Sequence, residues 1–324
     1  MGVTKVKLNR EQLEAVASVS FPGKKLADYT ELTEGFCNTA YRLILDDGQK
    51  IILKVTSGKR DGFMSNEVGM MDSEVKAMRI VDEQTDIRVA KVYCYDKSRE
   101  LIDGQYFLME NLPGDSWYSL GDTLSAEVRA KLSRETGQLQ LKLSRIHGEK
   151  FGILGEEEHR FDSQYEFLEY LMNNVISDAK AIGVEFGVPG EEILKALQQD
   201  KELFEEILCP SLVHWDMWEG NIFVEKDTIS GIIDWERAMW TDPMMDDRFR
   251  HHNRNEAFLE GFGIAELSEK EQRRILWYDV FLYLTMMTEP AYRQYEDDSQ
   301  YNWVNPMFLE VWGQLREGKG VTLE

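Results

Sequence analysis

The stretch His214-Trp215-Asp216-Met217-Trp218-Glu219-Gly220-Asn221-Ile222-Phe223-Val224, with Gly231-Ile232-Ile233-Asp234-Trp235-Glu236 close behind it, decides how the rest of the chain is read. His214 stands two residues before Asp216, and Asp216 five before Asn221. That is the spacing of a kinase catalytic loop, His-x-Asp-x-x-x-x-Asn. The apolar runs at 222–224 and 231–233 predict two short strands. A hairpin between them brings Asn221 beside Asp234. Phosphoryl transfer needs a carboxylate to take or orient the proton of the attacking hydroxyl. It also needs hard oxygen ligands to hold Mg²⁺ across the phosphates. Asp216 suits the first role, and Asn221 with Asp234 the second. Each of these residues alone reads as an ordinary turn former. Their joint spacing is what carries the chemistry.

Upstream, Tyr41 to Leu45 alternates, Asp46-Asp47-Gly48 signals a hairpin turn, and Lys50 to Val55 returns. Met64 to Val81 has helical spacing, and Val89 to Tyr95 and Gln105 to Glu110 read as strands. After Leu112-Pro113-Gly114 the character changes to amphipathic helices at 124–147, 163–181 and 191–208, and again from 266 onward. A strand-rich first third and a helix-rich remainder predict an α+β chain in two segregated lobes, 1–111 and 112–324. The 324 residues carry 37 Lys and Arg against 59 Asp and Glu, a net charge of −22. That balance excludes a general nucleic-acid binder, which needs a basic footprint, and an anionic membrane surface. No apolar run reaches membrane-spanning length. Three scattered cysteines give neither a disulfide framework nor a zinc site, so a cytoplasmic protein is expected.

His214 to Ile222, Ile233-Asp234-Trp235 and Asp242-Pro243 resemble the aminoglycoside phosphotransferase family, which includes choline, fructosamine and related small-molecule kinases. The resemblance implies a protein-kinase-like fold, with a small β-rich lobe that binds ATP and a larger helical lobe that holds the acceptor. It implies Asp216 as catalytic base, Asn221 and Asp234 as Mg²⁺ ligands, and bracing roles for Asp242 and Asp246. It makes Lys54, in Ile51-Ile52-Leu53-Lys54-Val55, the lysine that contacts the α- and β-phosphates. Such a lysine needs a carboxylate partner. Glu74 is the preferred partner and Glu67 the alternative. Gly35-Phe36-Cys37-Asn38-Thr39 resembles the loop over the phosphates, where backbone N–H groups and the Asn38 or Thr39 side chains would meet phosphate oxygens. Phe107 to Gly114 resembles the hinge, which implies backbone contacts to adenine near Glu110 and Leu112.

The chain departs from the family pattern at Trp215, Trp218 and Glu219, where most members carry Gly after the His and often His-Pro before Gly-Asn. The base and metal positions are untouched, so the departure bears on the acceptor. Asp234-Trp235-Glu236 lacks the glycine of a protein-kinase Asp-Phe-Gly, and Pro243 follows too soon for a long activation loop. Both features favour a small-molecule kinase. Residues 214–247 hold nine acids and two bases, a local balance of −7. Such a field favours a cationic or amine-bearing acceptor. Two other readings stand beside this one. One is a catalytically silent nucleotide-binding module, and the other a metal-dependent hydrolase built on His214, Asp216 and Asp234. The oligomeric state is not written in the sequence.

Overall fold

The protein is described here by a computed structural model covering residues 6–33, 38–56, 62–250, 252–295 and 297–317. Alternating burial builds its first sheet. After helix α1 (Arg10–Ser20) come β1 (Leu26–Leu32), β2 (Thr39–Leu45) and β3 (Lys50–Thr56), then helix α2 (Met70–Gln84), β4 (Val92–Asp96) and β5 (Gln105–Glu110). The five strands pair antiparallel in the order β1-β2-β3-β5-β4. β3 is central and buried on both faces. Ile51, Leu53 and Val55 pack with Leu13, Val16 and Ala17 of α1. Ile52 faces the opposite way, among Met71, Val75 and Met78 of α2. The two-residue period of a strand therefore puts Lys54 on the α2 face with Ile52.

Helix α2 begins six residues later than the apolar spacing predicts. Residues 64–69 have polar groups committed elsewhere. The Ser65 N–H and hydroxyl both donate to Asp178, at 2.7 and 2.6 Å, and the Asn66 amide donates to the Leu171 carbonyl at 2.9 Å. Gly69 has φ +61° and lies so close to Gly155 that a Cβ would meet the Gly155 carbonyl oxygen at 2.5 Å. A side chain fits at neither glycine, and α2 starts from this contact.

The second part of the chain holds β6 (Asp115–Ser116), α3 (Trp117–Leu120), α4 (Ala126–Leu143), β7 (Gly152–Ile153), α5 (Gln164–Ile182) and α6 (Gly190–Gln199). It continues through β8 (Ser211–Val213), β9 (Ile222–Glu225), β10 (Thr228–Ile232), β11 (Met239–Thr241), α7 (Glu256–Phe262), α8 (Glu269–Arg293) and α9 (Ser299–Glu317). Its main core is helical: Leu168, Leu171 and Val175 of α5 pack with Leu276, Val280 and Leu284 of α8 and with Phe308 and Trp312 of α9. Two three-stranded sheets, β10-β9-β6 and β7-β11-β8, sit beside this core and carry the loops described next. The α+β, two-lobed, protein-kinase-like architecture is as the sequence predicts. Dividing the chain at 111/112 is our proposal, because β5 belongs to the first sheet and β6 already pairs with β9. Among the described residues no helix is long and apolar enough to cross a membrane.

Candidate active site

Three strand ends deliver the site. His214 to Asp216 leave β8, Asn221 precedes β9, and Asp234 follows β10. The predicted hairpin is β9–β10, with Ile232 opposite Ile222. One further bond closes it: the Ile233 N–H donates to the Asn221 carbonyl at 3.0 Å. The Asn221 amide nitrogen donates to the Asp216 carbonyl at 2.8 Å and to its carboxylate at 3.2 Å. Asp216, Asn221 and Asp234 thus form one connected unit.

His214 lies fully buried beneath that unit. Its Nε2 donates to the Ile233 carbonyl at 2.9 Å, and its Nδ1 accepts the Asp216 N–H at 3.3 Å. This pair of bonds requires the neutral ring with its proton on Nε2. Burial pushes the His214 pKa down to about 4. The residue orients the loop and stays uncharged. Burial also raises the Asp216 carboxyl well above the ordinary range, with Arg237 opposing and Asp247 reinforcing.

Lys54 reaches across from the first lobe. Its Nζ lies 2.6 Å from Glu74 and 2.7 Å from Asp234. Burial opposes its charge, but Asp234, Glu74 and Glu236 outweigh that and hold the ammonium protonated. Glu74 is wholly buried, and its Oε2 has no hydrogen-bond partner. Burial, with Asp234 adding to it, pushes Glu74 up to about 7 and Glu236 to about 8. One carboxylate oxygen from each of Glu74, Asp234 and Glu236 lies within 4.8 Å of the others. Three hard oxygen donors faced by one ammonium, with an orphaned buried oxygen among them, fit a divalent cation such as Mg²⁺.

The remaining expected residues fall as follows. Glu67, the alternative partner for Lys54, instead meets Arg237 at 3.1 Å and also pairs with Arg293. The Asn38 amide donates to Glu236 at 2.7 Å, so it does reach the carboxylate cluster. Thr39 requires a correction. Its hydroxyl accepts the Val6 N–H at 3.0 Å on the α1 side of the sheet, where Tyr41 likewise receives the Leu8 N–H. Strand alternation thus turns the Thr39 side chain away from the Lys54 face, leaving only its backbone for phosphate. Residues 35–37 of that loop lie outside the described residues. The Glu110 N–H donates to the Lys91 carbonyl at 2.9 Å, and the Leu112 carbonyl accepts the Asn111 amide at 2.8 Å. An adenine edge at this segment would have to use other main-chain groups of these two residues.

Asp242 and Asp246 brace the site. Asp246 accepts the Trp215 N–H at 2.9 Å, and Asp242 accepts the Tyr278 hydroxyl at 2.8 Å and Arg274 at 3.2 Å. Sequence reasoning gave no role to Glu236 or Arg237. Their signal was position: a short helical turn directly after Asp234 returns Glu236 to the same side. Arg237 stacks over Trp215 at 5.1 Å and donates to Glu289 at 2.6 Å.

The fold has known counterparts. Residues 28–274 match the model of the phosphotransferase enzyme family. No curated protein matches the chain in sequence. A thermostable mutant of the aminoglycoside phosphotransferase APH(4)-Ia superposes with TM-score 0.67 at 17% identity, over 95% of this chain and 100% of the other. A provisionally assigned fructosamine-3-kinase from Thermobifida fusca gives 0.69 at 15% identity, over 94% and 100%. The streptomycin–ATP complex of APH(2")-IIa gives 0.61 at 15% identity, over 96% and 99%. At these identities the solved structures speak for the fold, and the family match covers most of the sequence. The chain belongs to the phosphotransferase enzyme family.

Proposed function

We propose that the protein transfers the γ-phosphate of ATP, with Mg²⁺, to a hydroxyl group of a small amine-bearing molecule. The observation that carries this reading is the convergence of both lobes on one point. Lys54 bridges Glu74 and Asp234, and Asp234 is tied through Ile233 to Asn221 and so to Asp216. Asp216 takes the proton of the acceptor hydroxyl, and Asn221 fixes its carboxylate. Lys54 meets the α- and β-phosphates, held in place by Glu74. Asp234 and the Asn221 amide oxygen hold the metal, with Glu236 beside them. When bound, Mg²⁺ would draw charge from the phosphates. The acidic field around residues 214–247 supports an acceptor with an amine. Aminoglycosides, amino sugars, glycated amines, choline-like alcohols and hydroxy amino acids all fit that description.

The test is an ATP-consumption screen across that panel, with Asp216→Ala as control. The variant is expected to lose about 10²- to 10⁴-fold in transfer rate, the usual worth of a general base. Mg·ATP should still raise its melting temperature. Retained turnover would remove Asp216 as the base. Phosphorylation of neutral or anionic alcohols alone would remove the amine.

A further inference from the structure

Two aromatic side chains meet at the loop that carries the candidate base, one of them exposed and the other partly so. Tyr118, on α3 just past the link between the lobes, is 68% exposed. Its ring centroid lies 5.3 Å from that of Trp218, with the planes inclined at 57°. Trp218 lies two residues after Asp216 and three before Asn221, and is itself only partly buried. It is held in place from below. A Cβ at Gly220 would lie 2.2 Å from Trp218 Cζ2, so the indole rests directly on the loop backbone. Its neighbour Trp117 turns the other way, buried, with the Arg248 guanidinium 5.0 Å over its ring. Arg248 also donates to Glu219 at 2.8 Å and to the Met217 carbonyl at 2.8 Å. The nearby positive charge is thereby turned inward onto Trp117 and Glu219. The same turn of helix therefore buries one aromatic for structure and leaves the other exposed where the core gains nothing from it.

We propose that Tyr118 and Trp218 form an aromatic platform that selects the acceptor, receiving its protonated or quaternary amine against their ring faces. The platform deepens the phosphotransferase reading and rests on it for the identity of the bound molecule. Ring faces carry partial negative charge, and a cation over Trp or Tyr gains about 0.5–2 kcal/mol as it leaves water. Trp218 itself belongs to residues 214–247, whose sequence balance is −7. A neutral molecule of the same shape gains dispersion from the rings and nothing from their charge.

The test is direct binding, read by calorimetry on the full chain without nucleotide. Choline is compared with 3,3-dimethylbutan-1-ol, its uncharged isostere, and glucosamine with glucose. The amine of at least one pair is expected to bind about three- to thirtyfold tighter than its partner, the range that a cation–π contact supplies. Tyr118→Ala and Trp218→Ala should each shrink that ratio, and Tyr118→Phe, which keeps the ring, should preserve it. Equal binding within both pairs, or a ratio untouched by both alanine variants, overturns the platform. An equal loss for charged and neutral members would also overturn it, as that marks a structural role. Failure of the phosphotransferase reading appears separately, as absence of Mg·ATP binding in the same calorimeter.

Discussion

Trp215 has φ +75°, a left-handed backbone that a bulky L-residue adopts only at a cost. Such a conformation costs about 1–3 kcal/mol and persists where surrounding contacts impose it. Here the Asp246 carboxylate holds the Trp215 N–H. The indole packs edge-on to Phe281 at 6.1 Å, with the guanidinium groups of Arg237 and Arg250 5.1 and 5.8 Å from its ring centroid. The family's usual glycine at this place thus has a physical reason, and this chain has exchanged backbone ease for packing. Asp234, with φ +67°, shares the conformation, but its short polar side chain tolerates it better. The prediction concerns order rather than size alone. Trp215→Ala and Trp215→Gly both lose the buried ring, about 3–5 kcal/mol. At an ordinary site glycine is the less stable of the two by roughly 0.5–1 kcal/mol. At residue 215 urea unfolding should show glycine to be the more stable, and the opposite order would dismiss the strain.

At the scale of elements, the β9–β10 hairpin and the buried His214 imidazole form one device. His214 ties the loop before the hairpin to the turn after it, and does so only while neutral. Its folded pKa of about 4 lies below the unfolded value of 6.5. The unfolded chain therefore binds the proton first, and stability is lost as pH falls from about 6.5 to about 4. Burial-raised carboxyls such as Asp246, at about 7, act in the opposite sense over much of that window. The clean measurement is accordingly a difference. The stability of the wild type minus that of His214→Asn should fall by about 3 kcal/mol between pH 6.5 and 4, since each pH unit separating the folded from the unfolded value is worth about 1.36 kcal/mol. A difference independent of pH would refute the buried neutral ring. This hairpin was legible in the sequence because two apolar runs and a fixed Asp-to-Asn interval mark it. Lys54 was legible through the family resemblance, in the apolar run Ile51-Ile52-Leu53-Lys54-Val55. The late start of α2 was not, because Ser65 and Asn66 bond to α5, over a hundred residues away. Nor was the turn of the buried Thr39 hydroxyl toward the α1 side, which depends on which face of β2 the α1 segment covers.

At the scale of the whole molecule, four charged side chains, two buried and two partly buried, join segments that are remote in sequence. Glu67 precedes α2, Arg237 follows the metal candidates, and Glu289 and Arg293 lie one turn apart on α8. Arg237 donates to Glu67 at 3.1 Å and to Glu289 at 2.6 Å, and Arg293 meets Glu289 at 2.6 Å and pairs also with Glu67. The Glu67 side chain is only 4% exposed. The cluster thus fastens the base of α2, and with it Glu74, to the helical lobe. The glycine contact between residues 69 and 155 does the same a few ångströms of chain later. A spacing argument could not find this cluster, since its members are up to 226 residues apart. Removing the Glu67 carboxylate takes one counter-charge from both Arg237 and Arg293 inside the protein. Breaking a buried pair from one side costs about 3–5 kcal/mol, because the surviving charge has already lost its water. Glu67→Gln should therefore lower the free energy of unfolding by that order. Adding Arg293→Met should recover part of the loss, since neighbouring charges are not additive. Unfolding of the two single variants and the double variant in urea closes the cycle. A Glu67→Gln change within about 0.5 kcal/mol, the range of an ordinary surface substitution, would show that the lobes are fastened elsewhere.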